Sequence, residues 1–177
     1  PGLSLRLTEY TVGERGPEAM PAELPANVAY TFAFEVTAEE VPPGAGTIQL
    51  NQPVPVYVDN FLGVVAGEIV PVGQYDREQN LWVPQPNGVA LNIVGVDANG
   101  LAELDTNGDG LPDDAVTLAT RGITEEERQV LALRYGPGRS LWRLASELVL
   151  RGALDCNFPM FAPGDAIWPS GGPPAGG

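Results

Sequence analysis

Neither histidine nor lysine occurs anywhere in the 177 residues, and all nine basic side chains are arginine. Without histidine there is no Ser–His or Cys–His nucleophile, no imidazole general base and no ordinary zinc site. Without lysine there is no Schiff base, no P-loop and no lysine-derived isopeptide bond. What remains is carboxylate chemistry, or no chemistry at all. Cysteine is nearly as scarce. Cys156 stands alone, which excludes an internal disulfide and leaves the redox compartment unread. A lone cysteine without cationic neighbours reads as a small buried apolar residue rather than a reactive thiol. No apolar run approaches the ~18 residues of a membrane span. No secretory leader is visible and the chain begins at Pro1, so it is expected to be a piece of a longer polypeptide.

Basic charge is outnumbered as well, 9 residues against 23 acidic ones, for a net charge of −14. A phosphate backbone demands Lys and Arg, so nucleic acid is excluded as a partner, and an anionic leaflet with it. Apolar residues at 44% suffice for a packed core, and the length suits one domain. The 22 Gly and 18 Pro point to many turns and short strands. Residues 169–177 have linker composition, leaving 1–168 as the domain.

The first hundred residues read as β. Leu3, Leu5 and Leu7 alternate with Ser4, Arg6 and Thr8, the period of a half-buried strand. Val28, Tyr30, Phe32, Phe34 and Val36 share one face of a second strand, a spacing that suits a pleated surface. Further strands are expected over 47–50, 54–58, 68–72, 81–83, 89–94 and 101–104, with turns at Pro43-Gly44, Asn87-Gly88 and Asn99-Gly100. Pro53 and Pro55 place their strand at a sheet edge. The fold expected is mainly β, a β-sandwich, with a core of Val28, Tyr30, Phe32, Phe34, Val56, Val58, Trp82, Ile93 and Leu131. A short helical insertion interrupts it: Thr124 and Glu127 form a capping box that opens a helix over 124–135, closed by Gly136-Pro137-Gly138. For 140–144 a strand is expected, and 145–160 stays open.

One segment carries a specific chemical signal, the acidic loop 105–114. Asp105, Asn107 and Asp109 occupy the first, third and fifth places of an EF-hand-like calcium loop, with Gly110 at the sixth. The Leu111 carbonyl takes the seventh place, and Asp113 and Asp114 the ninth and tenth. Four carboxylates at roughly 6 Å repel by only about 0.7 kcal/mol per pair in water, so the loop tolerates having no cation. The twelfth place holds Val116, where a bidentate Glu normally closes the sphere, so Asp113 or Asp114 must compensate. Hard oxygen donors favour Ca²⁺ over a transition metal. The plain alternative is a solvated turn built from Asn-Gly and Asp-Gly.

Two other constellations are weaker. Asp59-Asn60 with Asp76-Arg77 suggests a carboxylate pair for hydrolysis, though loop polarity explains it better. Trp82, Trp142 and Trp168 suggest a sugar platform, though core packing is the commoner use of tryptophan in a β domain.

Several strings also carry a resemblance. Tyr10-Thr11-Val12-Gly13, Met20-Pro21-Ala22-Glu23-Leu24-Pro25 and Tyr30-Thr31-Phe32 come first. The string from Gln52 to Leu62, then Val70-Pro71-Val72-Gly73-Gln74-Tyr75-Asp76, Leu81-Trp82-Val83-Pro84 and Asn87-Gly88 follow in order. With the acidic loop, the Ile123-Thr124 helix start and Leu141-Trp142-Arg143, they resemble the segment preceding the YD-repeat shell of bacterial RHS-repeat, teneurin-like proteins. The middle stretch is also similar to ZU5-type β domains. Leu154-Asp155-Cys156-Asn157-Phe158-Pro159 departs from the family, where aromatic residues stand in place of Leu154 and a Trp in place of Phe158.

The resemblance implies a domain of a secreted or cell-surface toxin or adhesion protein, bracing or plugging the neighbouring shell. The resulting expectation is a non-catalytic structural accessory domain, stabilised by Ca²⁺, whose partners are neighbouring domains of the same polypeptide. A cell-surface protein or glycan is the further partner considered. A carbohydrate- or protein-binding adhesion module is the alternative, and a carboxylate hydrolase the third reading.

Overall fold

The computed structural model describes residues 4–10, 32–38, 47–49, 54–76, 79–146, 149–151 and 156–159. Among them the protein is mainly β. The strands are β1 (Leu5–Glu9), β2 (Phe34–Ala38), β3 (Thr47–Gln49), β4 (Val54–Asp59) and β5 (Ile69–Asp76). After these come β6 (Leu81–Val96), β7 (Ala102–Asp105), the helices α1 (Ala115–Thr120) and α2 (Glu125–Arg134), then β8 (Arg139–Ser146), β9 (Val149–Arg151) and β10 (Cys156–Pro159). The chain divides into two compact units. One comprises Pro1–Val54, Pro71–Asn87 and Ala145–Gly177, the other Pro55–Val70 and Gly88–Leu144.

In the first unit β1 pairs antiparallel with β2, Leu7 opposite Val36. β2 continues to β10, and β10 to β5, with Phe158 opposite Gly73. β3 and β9 form a separate pair. Aromatic and β-branched side chains supply the packing: Phe34, Val72, Tyr75 and Trp82 are buried, and the Tyr75 and Trp82 rings lie 5.2 Å apart in a tilted pair. Tyr10 donates its hydroxyl to Glu35 Oε2 at 2.7 Å.

The second unit is built on the later half of β6. It pairs antiparallel with β8, Leu91 opposite Leu141, and through the tight Asn99-Gly100 hairpin with β7, Ile93 opposite Leu104. Asp97 closes that hairpin by accepting the amides of Asn99 and Leu101, and Gly100 sits at φ +79, a conformation that glycine adopts without strain. β4 ends the strand order beyond β8, the edge position its proline predicts. Leu118 of α1, Leu131 of α2 and Ile123 between them close over Leu91, Ile93, Ala102, Leu104 and Leu141. Each fully buried leucine or isoleucine contributes about 1.5–3 kcal/mol, which is what holds two helices this short.

Several expectations meet the structure directly. α2 carries the capping box, Thr124 Oγ1 accepting the Glu127 amide at 3.1 Å, and ends at Tyr135. Phe34, Val58, Trp82, Ile93 and Leu131 are buried as expected, while Phe32 and Val56 are only half-buried. Val28, Tyr30 and the Pro43-Gly44 turn lie outside the described residues.

Three corrections follow. Leu7 is exposed rather than buried on its strand. Asn87-Gly88 is no turn: the separate strands expected at 81–83 and 89–94 are one strand, β6, of sixteen residues. Pro84 and Pro86 tolerate extended backbone, and Gly88 is present because the neighbouring strand presses on it. A Cβ there would sit 2.6 Å from the Arg143 carbonyl oxygen and 2.7 Å from Leu144 Cδ2. Finally, α1 was not expected. Its signal is Asp114, whose carboxylate accepts the Thr117 amide at 2.7 Å as an N-cap.

Candidate functional site

The acidic loop begins where β7 ends. Asp105 is 1% exposed, yet it is a carboxylate, so it must be satisfied from within. Its Oδ1 accepts the Gly108 amide at 2.7 Å and the Asn107 amide at 3.2 Å. Its Oδ2 accepts the Gly110 amide at 3.1 Å and Asn92 Nδ2 at 3.4 Å. Burial alone would raise this carboxyl, but the three backbone amides and Asn92 outweigh it and hold it below the ordinary carboxylate range.

The same device repeats along the loop. Asn107 Oδ1 accepts the Asp109 amide and Asp109 Oδ1 the Leu111 amide, both at 2.8 Å. The side-chain oxygens at the first, third and fifth places are thus each fixed by an amide two residues on. Asp113 closes the far side. Its Oδ2 accepts the Thr106 amide at 2.7 Å and hydroxyl at 2.5 Å, and its Oδ1 accepts Asn107 Nδ2 at 2.8 Å. Asp114 faces the other way, capping α1, and the Thr117 amide lowers its pKa. Among the described residues no group of three or more acidic side chains converges into a ready-made cation cage.

The loop is also seated against 61–69. A Cβ on Gly108 would lie 2.5 Å from the Ala66 carbonyl oxygen, and one on Gly67, at φ +89, 3.0 Å from the Asn107 backbone. Each glycine therefore lets the opposing backbone approach. The 61–69 segment is fixed in turn by Asn60. Asn60 Oδ1 accepts Trp142 Nε1 at 2.7 Å and the Val64 amide at 2.9 Å, while its Nδ2 donates to the Val64 carbonyl and to Ser140 Oγ. Phe61 lies against the Trp142 ring at 4.8 Å, and Phe61, Leu62, Val65 and Ile69 are each at least half exposed.

Asp105 carries an acid signature. Because its folded-state pKa is lowered, its ionised form adds stability above the unfolded carboxylate pKa, and that stability is lost as pH falls through the folded value. Urea titrations across the acid range should therefore show a stability loss that Asp105→Asn reduces. An unchanged acid profile in the variant would count against this role.

A second charged cluster has no local signature in the sequence, where Glu127 shows only its helix-capping spacing to Thr124. Glu127 Oε1 accepts the Tyr57 hydroxyl and Arg143 Nε, the latter at 2.6 Å, and Oε2 accepts Arg143 Nη2 at 3.0 Å. Arg143 also donates to the carbonyls of Arg121 and Gly122. Both side chains are more than nine-tenths buried. Burial first, and the Glu127 carboxylate second, push the Tyr57 phenol far above its usual range. Burial would lower the Arg143 guanidinium, but its hydrogen bonds to Glu127 win and its pKa rises. A phenol this hard to ionise and a permanently charged guanidinium make a brace between β4, β8 and α2 rather than an acid–base pair.

The remaining candidates resolve into structure. The exposed Asp59 carboxylate pairs with Arg139 at 2.6 Å, a surface bridge of small value. Trp82 and Trp142 are fully buried, so neither offers a face to a sugar, while the Asp76 side chain, Arg77 and Trp168 lie outside the described residues. Comparison with known protein families, with curated proteins and with solved structures finds no match to this chain.

Proposed function

We propose that this chain is a non-catalytic structural accessory domain of a larger surface or secreted polypeptide of the RHS/YD-repeat type, a β-sandwich steadied by Ca²⁺ at the acidic loop. The observation that carries the reading is the order of that loop: Asn107, Asp109 and Asp113 are each held by hydrogen bonds that leave further lone pairs on hard oxygens, while Asp105, whose two oxygens already accept four hydrogen bonds, would exchange one of them for the cation. With the Leu111 carbonyl they are the residues that would hold the ion, and Asp114 stays with its helix. The buried Glu127–Arg143 brace supports a structural role, and the order of the family-like strings supports the RHS context. YD repeats directly downstream in the parent polypeptide would test that context.

The calcium reading has its own test. Lacking a Glu at the twelfth place, the site belongs in the weak range of about 10⁻⁴–10⁻³ M. At roughly 1 mM Ca²⁺ and a Kd of roughly 10⁻⁴ M, binding adds about 1.4 kcal/mol. At ~2–4 °C per kcal/mol the melting temperature should rise by about 3–6 °C, and chelator should reverse it. Asp109→Ala, which loses only the bond from the Leu111 amide, should abolish the shift, and Mg²⁺ should substitute poorly. A melting curve indifferent to Ca²⁺ reduces the loop to a polar turn.

A binding module is the second reading, favoured by the exposed Phe61, Leu62, Val65 and Ile69 on a rigid loop. Retention of a glycan on an array, lost in Phe61→Ser, would decide for it.

A further inference from the structure

Three Asn-Gly dipeptides occur in the chain, at 87–88, 99–100 and 107–108, and the fold puts them in three different situations. The dipeptide is chemically reactive because glycine has no Cβ to shield its own amide nitrogen from the asparagine side chain. Deprotonated, that nitrogen attacks the asparagine Cγ. The new C–N bond forms as the side-chain amide leaves as ammonia, giving a five-membered succinimide. Water then opens either carbonyl, yielding aspartate or isoaspartate. No electrons are transferred and water is the only co-reactant.

At Asn107 the fold opposes each step. The Gly108 N–H that must lose its proton donates to the Asp105 carboxylate at 2.7 Å, and an anion beside it makes deprotonation harder. The Asn107 side chain is held at both ends, by the Asp109 amide and by Asp113, so its Cγ is not at liberty to turn toward the nitrogen. Gly108 is also pressed under the Ala66 carbonyl. At Asn87 the obstacle is steric: Gly88 is buried within β6 with the Arg143 carbonyl and Leu144 against it, and ring closure needs the backbone to rotate.

At Asn99 no carboxylate accepts the Gly100 N–H itself and no backbone is pressed against the glycine. Asn99 sits at the exposed tip of the β6–β7 hairpin, and among the described residues its side chain takes part in no hydrogen bond. The Gly100 N–H donates to the neutral Asp97 carbonyl, at 3.0 Å, while the Asp97 carboxylate is taken up by the Asn99 and Leu101 amides rather than by Gly100, and nothing lies within 4 Å of where a Gly100 Cβ would be. We propose that Asn99 is the spontaneous deamidation site of this protein, and that Asn107 and Asn87 are protected by the fold. The change would add a carboxylate at the hairpin tip and, as isoaspartate, an extra carbon to the backbone between Asp97 and Leu101. This holds whether or not a cation occupies the acidic loop.

The experiment compares native with urea-unfolded protein, incubated in mildly alkaline buffer and mapped by peptide mass spectrometry. Unfolded, the three sites should gain a single mass unit at comparable rates, since the dipeptide is the same. In the native protein Asn99 should stay within a few-fold of its unfolded rate. Asn107 and Asn87 should slow by about tenfold or more, the rate cost of first giving up a charge-assisted hydrogen bond or a packed backbone. Native Asn99 slowed as much as Asn107, or either protected site keeping pace with Asn99, would overturn the proposal.

Discussion

Glu127→Ala should cost about 3–5 kcal/mol of folding stability, the usual penalty for removing one partner of a buried ion pair. The reason is what it strands. Arg143 keeps its charge under all accessible conditions, its side chain is only 7% exposed, and the carbonyls of Arg121 and Gly122 are neutral compensation for a lost carboxylate. Tyr57 loses its acceptor at the same time, and α2 loses half of its capping box. Urea unfolding, followed by tryptophan fluorescence, would read the change. Arg143→Met made on top of Glu127→Ala should recover part of the loss, because an apolar side chain of similar volume needs no partner. A Glu127→Ala protein within about 1 kcal/mol of the parent would show that the pair is worth no more than a surface bridge.

Trp142→Ala should be comparably severe, at about 3–5 kcal/mol, since the ring is wholly buried and its removal leaves a cavity in the middle of β8. It differs from Glu127→Ala in what else moves. The indole N–H is one of two donors to Asn60 Oδ1, and the ring face supports Phe61, so the variant should loosen the segment after β4 as well. Trp142→Phe separates the two effects. It preserves most of the volume and the contact with Phe61 while losing the donor, and should cost about 1–2 kcal/mol, near the worth of one buried hydrogen bond with some packing. Hydrogen exchange at the Val64 amide is the local readout. If Trp142→Ala protected Val64 as well as the parent does, Asn60 would be holding the loop without help from the tryptophan.

Both effects rest on features of different legibility in the sequence. Strands announce themselves by alternation, and the hairpin at Asn99-Gly100 by a dipeptide suited to positive φ, so the β character could be read directly. The capping box at Thr124 was equally plain, because both partners lie within one helical turn. Asn87-Gly88 misled because the same dipeptide serves two purposes, and only a neighbour distant in sequence, the Arg143 carbonyl, shows that close approach is the one in use. α1 is hidden because six residues carry too little periodicity to register, and its Asp114 cap also fits the tenth place of the acidic loop. The Tyr57–Glu127–Arg143 cluster was invisible for a general reason. Its members are separated by up to 86 positions, and no local pattern marks a charge that will be buried by a distant partner. The alternation of acidic side chains at Asp105, Asn107 and Asp109 was readable. Their capture by backbone amides was not, since it depends on the turn conformations at Gly108 and Gly110.

The paired glycines at Gly67 and Gly108 couple the histories of two segments that are 41 residues apart in sequence. Because each backbone rests against the other without space for a methyl group, neither loop can be lengthened, shortened or given a side chain at that point unless the other changes too. The two segments should therefore vary in concert, as a single inherited unit. The hairpin between β6 and β7, with open space around Gly100, is free to accept insertions on its own.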